Sequence, residues 1–106
     1  MEKLFTYGTL QDKEIQEKIF GRVLNGTSET LIGYAVKEIQ IEEEFGLMQY
    51  PIITETNNPE DTINGIVFEI TANDLRQADL YEGFHYKRIE VHLQSSEKAW
   101  VYSATT

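Results

Sequence analysis

The spacing of hydrophobic and polar positions changes several times along the chain, and each change marks a structural element. Leu4-Phe5-Thr6-Tyr7 is an aromatic and β-branched run that stops at Gly8, which predicts a buried strand ending in a turn. From about Asp12 to Phe20 the apolar residues recur one helical turn apart, and Gly21 follows as a C-terminal cap. The pattern therefore predicts a strand, a glycine turn and a short amphipathic helix.

Most of the remaining chain has the spacing of strands. From Glu29 onward alternate positions are apolar, which is typical of a half-buried strand. Further extended segments are predicted at 50–53, 63–70, 86–93 and 99–103, the second of them interrupted by Gly65. A second helix is predicted after Thr71, because Thr71 and Asp74 have the spacing of a capping box.

The order of these elements predicts one domain over residues 1–106. A strand, a helix, several strands, a second helix and a final strand pair are typical of an α+β fold with a mostly antiparallel sheet. We expect this sheet to curl into a small β-barrel flanked by the short helices. No internal repeat or linker interrupts the sequence.

One acidic residue falls on the apolar side of the second helix. At about 100° per residue, one arc should face the core, formed by Ala72, Leu75, Ala78 and Tyr81. Glu82 lies within about 20° of this arc, and Asp79 lies at its edge one turn earlier. Burial and a neighbouring acid would both raise the Glu82 pKa toward the range that suits proton transfer. Periodicity alone favours two alternatives: a helix that frays before Glu82, or a buried ion pair between Glu82 and Arg88.

Composition narrows the classes of function. The chain has no cysteine, which excludes thiolate catalysis, disulfides and zinc-thiolate sites. A net charge of -9 and a pI near 4.6 disfavour binding to nucleic acid or to anionic membranes. His85 and His92 have no cluster of ligands around them, so we expect no metal and no cofactor. With no secretory or membrane-length apolar segment, we expect a cytoplasmic protein.

Several short motifs occur in a fixed order, namely Tyr7-Gly8-Thr9-Leu10, Gly33-Tyr34, Tyr50-Pro51-Ile52, Gly65-Ile66-Val67-Phe68, and Asp79-Leu80-Tyr81-Glu82-Gly83 followed by Tyr86 and Arg88. The ordered set resembles the gamma-glutamylcyclotransferase-like family, and most of all its avirulence-induced-gene and gamma-glutamylamine cyclotransferase branch. The resemblance runs from Phe5 to Tyr102. It implies a small β-barrel with flanking helices and a cavity that holds a gamma-glutamyl group.

The resemblance also implies an activity and the residues that perform it. The family closes a gamma-glutamyl group to 5-oxoproline and releases an amine or amino acid, without a cofactor or metal. Glu82 then corresponds to the catalytic general acid and base, and Tyr7, Gly8, Thr9 and Leu10 correspond to the substrate-binding loop. The alternative is a non-catalytic module that retains the cavity and binds a small ligand. The partner expected in either case is a small molecule, and neither the oligomeric state nor the leaving amine is predicted.

Other residues near these motifs have more than one interpretation. Backbone N–H groups at Gly8 can converge on an anion, although an isolated Tyr-Gly-Thr is usually an ordinary turn. Arg88 shares a strand face with Tyr86 and is able to bind a substrate carboxylate or to neutralise Asp79 or Glu82. Of these two roles for Arg88, we favour the ion pair.

Overall fold

The computed structural model of the chain describes residues 1–43 and 46–104, with the side chains of residues 39–50 and 104 outside that description. The described residues form two α-helices, a short 3₁₀ helix and seven strands. In chain order these are β1 (Glu2–Thr6), the 3₁₀ helix (Thr9–Gln11), α1 (Lys13–Phe20), β2 (Gly26–Ile32), β3 (Tyr34–Glu43), β4 (Gly46–Glu55), β5 (Thr62–Ile70), α2 (Ala72–Glu82), β6 (Tyr86–His92) and β7 (Lys98–Ala104).

Five of the strands form one open sheet in the order β2-β5-β1-β7-β6. Its pairings are antiparallel except that of β1 with β7, which is parallel. Strands β3 and β4 form a separate antiparallel hairpin. The prediction of an α+β fold with a mostly antiparallel sheet is therefore confirmed.

The predicted closure of the sheet into a barrel is wrong. Gly33 adopts a φ of 85°, in the left-handed region that favours glycine, and it turns the chain out of β2 into the hairpin. The hairpin strand β4 contains Pro51, which has no N–H with which to extend a ladder. The hairpin packs on the core through side chains such as Ile53, and the edge strands β2 and β6 are not joined.

Strand β5 runs without a break through Gly65, so the predicted interruption is also wrong. Gly65 pairs with Glu29 of β2. A Cβ atom at this position would lie 2.3 Å from the Thr6 carbonyl oxygen and 2.6 Å from the Phe5 ring. The glycine thus marks a close approach of β5 to β1, which is a common reason for a glycine within a strand.

The predicted C-terminal cap of α1 and the predicted capping box of α2 are both present. The Asp12 side chain accepts hydrogen bonds from the N–H groups of Glu14 and Ile15, and Gly21 ends α1 with a φ of 75°. In α2, Thr71 and Asp74 form the reciprocal capping box.

The buried face of α2 is narrower than the predicted arc. Leu75 and Ala78 are buried as expected, but Ala72 and Tyr81 are exposed. The first turn of α2 buries Asp74 instead, because Asp74 forms a two-point ion pair with Arg22 beyond the end of α1. At the other end Tyr81 borders a cavity.

The core lies on both faces of the five-stranded sheet. Leu4, Phe68 and Tyr102 pack toward the helices, whereas their neighbours Phe5 and Val67 pack toward the side that carries the hairpin. This alternation follows from the two-residue period of a strand. Among the described residues no helix has the length and apolar character needed to cross a membrane.

Candidate active site

A cavity of about 310 Å³ lies between the loop that follows β1 and the C-terminal end of α2. Its wall includes all of the candidate site residues predicted from the sequence, namely Tyr7, Gly8, Thr9, Leu10 and Glu82. Much of the remaining cavity wall is formed by Pro51, Tyr81, Tyr86 and Tyr102. The structure therefore brings together two segments that lie more than seventy positions apart in the sequence.

The loop after β1 is held in place by hydrogen bonds on both sides. The Gln11 side chain donates to the Thr6 carbonyl oxygen at 2.8 Å, and the Gln11 N–H donates to the Gly8 carbonyl oxygen at 3.1 Å. No described residue accepts a hydrogen bond from the N–H groups of Gly8, Thr9 or Leu10. All three residues line the cavity.

Gly8 differs in one respect from the expectation. Its φ of -142° lies outside the left-handed region, so this φ does not itself demand a glycine. A Cβ atom added there would meet Pro51 Cγ at 3.8 Å, which is ordinary van der Waals contact. Gly8 lies beside Pro51 in the cavity wall.

Glu82 is the last residue of α2 and is partly buried in the cavity wall. Burial raises the pKa of its carboxyl group from 4.5 to about 7. Repulsion by Asp79, which the sequence also suggested, does not contribute to this shift. Within the described part of the chain, no cation or hydrogen-bond donor pairs with the Glu82 carboxylate.

Both structural alternatives for Glu82 are wrong. Helix α2 does not fray before Glu82, because it continues to that residue and the Gly83 N–H donates to the Asp79 carbonyl oxygen at 3.1 Å. Arg88 does not pair with Glu82. Its guanidinium binds Asp79 through two hydrogen bonds, from Nε at 2.9 Å and from Nη2 at 3.0 Å. The ion pair favoured for Arg88 is therefore confirmed, with Asp79 as its partner.

Tyrosine side chains form much of the cavity wall, and each named here has its hydroxyl fixed by the protein. Tyr7 donates to the Tyr102 carbonyl oxygen at 2.8 Å, and Tyr86 donates to the Pro51 carbonyl oxygen at 2.7 Å. Tyr102 donates to Asp79 Oδ1 at 2.7 Å. Burial raises the pKa values of Tyr7 and Tyr102, so both phenols stay neutral.

Sequence reasoning did not assign Tyr81 and Pro51 to the site. The Tyr81 hydroxyl lies 2.8 Å from Thr9 Oγ1, and this hydrogen bond joins the two walls of the cavity. Pro51 belongs to the motif Tyr50-Pro51-Ile52, which was the only sequence feature that could have assigned it to the site. Its place beside the loop depends on how the hairpin packs. The Tyr50 side chain lies outside the described residues. Tyr34 packs against the core.

The described residues contain no group of three or more His, Cys, Asp or Glu side chains that could hold a metal ion. His85 stacks on Phe84 with ring centroids 4.1 Å apart. What the cavity offers is one carboxylate with a near-neutral pKa, a set of backbone N–H donors and aromatic walls. This combination supports proton transfer to and from a small molecule, with hydrogen-bond donors for an anionic group.

The fold and the cavity thus define a small α+β protein whose cavity wall contains a partly buried carboxyl group. The family model described as "Gamma-glutamyl cyclotransferase, AIG2-like" matches residues 4–106, and the chain belongs to this family. A comparison with curated proteins found no match.

Solved structures share the fold. The solution structure of an Arabidopsis thaliana protein is 23% identical with a TM-score of 0.74, and the alignment covers 97% of this chain and 61% of that one. A structure named gamma-glutamyl cyclotransferase is 18% identical with a TM-score of 0.75, covering 99% and 67%. An uncharacterized Homo sapiens protein is 19% identical with a TM-score of 0.78, covering 99% and 67%. This chain therefore spans about three fifths to two thirds of the length of these structures.

Proposed function

We propose that this protein is a cyclotransferase that converts a gamma-glutamyl group to 5-oxoproline and releases an amine or amino acid. The observation that carries the proposal is the Glu82 carboxyl group, whose pKa burial raises to about 7 inside the cavity formed with the loop Tyr7 to Leu10. Membership in the gamma-glutamyl cyclotransferase family supports the class of reaction. The substrate proposed is a small gamma-glutamyl molecule.

In the proposed reaction the attacking and the reacting groups belong to one molecule. The α-amine of the substrate attacks its own γ-carbonyl carbon, a five-membered ring forms, and the bond to the leaving nitrogen breaks. Holding the substrate in a folded conformation contributes several kcal/mol through orientation. No nucleophile from the protein is needed, so the chain has to supply only proton transfer and charge stabilisation.

Glu82 fills both proton-transfer roles. The substrate amine first loses its ammonium proton to water, and as its nitrogen bonds to the γ-carbonyl carbon the ionised carboxylate accepts one of the two remaining N–H protons. The protonated carboxyl group then donates that proton to the leaving nitrogen, which returns Glu82 to its starting state. A pKa near 7 suits a group that must accept and donate at the same pH, and burial alone produces it here.

The loop supplies donors for negative charge. The N–H groups of Gly8, Thr9 and Leu10 have no described acceptor and lie in residues that line the cavity. We assign them to the substrate carboxylate or to the oxyanion of the tetrahedral intermediate. The net charge of -9 argues against nucleic acid or an anionic membrane as a partner. Location in the cytoplasm stays a prediction.

The test is release of 5-oxoproline from a panel of gamma-glutamyl amines and gamma-glutamyl dipeptides. Glu82→Gln keeps the size of the side chain and removes the base, so we expect a folded protein with turnover lost. Glu90→Gln is the matched control, because Glu90 is exposed on β6 and remote from the cavity wall. Wild-type turnover in Glu82→Gln would show that Glu82 is not the base. Binding of 5-oxoproline without turnover of any substrate would favour the non-catalytic module.

A further inference from the structure

Two glutamine side chains fasten the loop between β1 and α1. Gln11 Nε2 donates a hydrogen bond to the Thr6 carbonyl oxygen at 2.8 Å. Gln16 Nε2 donates to the Leu10 carbonyl oxygen, also at 2.8 Å. Thr6 and Leu10 line the cavity, and they enclose residues 7–9, which line it as well. The two glutamines therefore hold both ends of one segment of the cavity wall.

The Gln16 side chain is a buried polar group with both of its polar atoms engaged. It is only 1% exposed, although it belongs to α1. Its Oε1 accepts a hydrogen bond from the Leu24 N–H at 2.9 Å, which fixes the amide with Nε2 toward Leu10. An apolar side chain could fill the same space without the cost of burying an amide, but it could not bind the Leu10 carbonyl group.

The bonds to the loop carbonyl groups also orient its N–H groups. Because a peptide unit is planar and trans, the C=O of one residue and the N–H of the next point in opposite directions. Gln16 holds the Leu10 C=O and so orients the Gln11 N–H, which donates to the Gly8 carbonyl oxygen at 3.1 Å. The Gly8 C=O in turn orients the Thr9 N–H, for which no described residue is an acceptor. Gln16 thus sets the direction of the Thr9 N–H through two peptide units.

We propose that Gln11 and Gln16 are positioning residues, which hold the loop in the conformation that binds the substrate. Neither is among the described residues that line the cavity, so both act through the backbone of Thr6 and Leu10. The inference rests on the proposed function for the identity of the ligand. Its physical content, the order of the loop, can be measured without any ligand.

Removal of either amide should weaken binding. Gln11→Met keeps the length of a half-buried side chain and removes the donor to the Thr6 carbonyl group. The net value of one hydrogen bond corresponds to about a fivefold change in the population of the ordered loop, and the apparent affinity falls by the same factor. Gln16→Met should have a larger effect, because it removes the partners of both the Leu10 C=O and the Leu24 N–H.

The experiment has two measurements on each folded variant. The first is ¹⁵N relaxation of the ligand-free protein at the amides of Gly8, Thr9 and Leu10. We expect order parameters typical of rigid backbone, about 0.85, in the wild type and lower values, toward about 0.6, in both glutamine variants. The second is titration with 5-oxoproline, in which Gln11→Met should bind about fivefold more weakly. Gln94→Met is the matched control, because Gln94 is exposed between β6 and β7 and lies outside the cavity wall.

A purely structural role for the two glutamines predicts a different result. The unfolding midpoint would then fall, while the folded variants would keep the loop order parameters and the 5-oxoproline affinity of the wild type. Unchanged loop order in folded Gln11→Met would overturn the proposal, and Gln11→Met decides if Gln16→Met does not fold. A lower kcat at unchanged KM and affinity would also overturn it, because the loop would then act in chemistry and not in binding.

Failure of the proposed function has a separate signature. If the wild type turned over no gamma-glutamyl substrate, the cyclotransferase assignment would fail. Loss of loop order and of 5-oxoproline affinity in the glutamine variants, but not in Gln94→Met, would still support their positioning role.

Discussion

Two carboxyl groups one helical turn apart illustrate how the surroundings of a residue set its chemistry. Glu82 and Asp79 belong to the same helix, but burial raises the pKa of one and hydrogen bonds from Arg88 and Tyr102 lower that of the other. Opposed shifts in neighbouring acids are a frequent sign of divided roles. Here Glu82 is the candidate acid and base, whereas Asp79 is held as an ionised carboxylate by Arg88 and Tyr102.

The raised pKa of Glu82 predicts a pH-dependent cost to stability. The folded protein holds the Glu82 proton up to about pH 7, whereas an unfolded chain releases it near 4.5. The wild type therefore loses stability as pH rises from about 4.5 through about 7, because the buried carboxylate must ionise. Glu82→Gln avoids this cost and should be more stable than the wild type at pH 8, by on the order of 3 kcal/mol.

Denaturant unfolding of both proteins at pH 4 and pH 8 measures this difference. The comparison between the two proteins cancels the other titrating groups, which are common to both. We expect nearly equal stabilities at pH 4 and a clear advantage for Glu82→Gln at pH 8. A constant difference between the two pH values would mean that Glu82 titrates at an ordinary pKa in the folded state.

At the scale of elements, strand β1 and the turn after it place the loop from Tyr7 to Leu10 against the end of α2. At the end of β1 the Thr6 hydroxyl donates a hydrogen bond to the Ile66 carbonyl oxygen at 2.8 Å. Strand β5 approaches β1 closely at Gly65. The loop that follows is joined to α2 through Thr9 and Tyr81. The cavity therefore depends on the relative positions of three elements that are far apart in the sequence.

Gly8→Val tests whether the space beside Pro51 is part of the binding site. The backbone φ does not demand glycine and a Cβ meets only Pro51 at 3.8 Å, so we expect the variant to fold. Its branched side chain should occupy cavity space and weaken binding of 5-oxoproline by roughly tenfold or more, on the order of 1.4 kcal/mol. Thr9→Ala should have a much smaller effect, because the Thr9 N–H remains.

Titration of the folded variants with 5-oxoproline gives the two affinities directly, and circular dichroism establishes the folded fraction. If the loop were an ordinary turn with no role in binding, Gly8→Val would change stability and leave affinity unaltered. Unchanged affinity in Gly8→Val would therefore remove the loop from the binding site, whatever the role of Glu82.

Local chemistry accounts for the features that the sequence predicted well. The caps at Thr71 and Gly21 depend on residues within four positions of one another, so their spacing alone identifies them. The choice of Asp79 as the partner of Arg88 was left open. Tyr102 also binds Asp79, and it comes from a strand 23 positions away, so that the network depends on how β6 and β7 pack against α2.

At the scale of the whole molecule, the open sheet follows from contacts that a linear pattern does not contain. The alternation of apolar residues predicted strands, but it did not determine that β3 and β4 would form a hairpin outside the sheet. The helices cover one face of the five-stranded sheet and the hairpin covers the other. Leu4 and Phe5 point to opposite faces and therefore belong to different core clusters. Two of the family motifs, Tyr7-Gly8-Thr9-Leu10 and Tyr81-Glu82, meet in the cavity wall, and their role in a functional site stays a prediction.

The whole-molecule chemistry also predicts how the protein responds to metal removal. The proposed reaction needs an internal amine nucleophile, one carboxylate and backbone donors, so none of its steps calls on a Lewis acid. Exhaustive chelation should therefore leave both 5-oxoproline release and the thermal unfolding midpoint unchanged. The measurement compares chelated protein with protein to which zinc or magnesium is returned. A loss of activity that either ion restores would show that a metal takes part, and the proton-transfer role of Glu82 would then have to be reassigned.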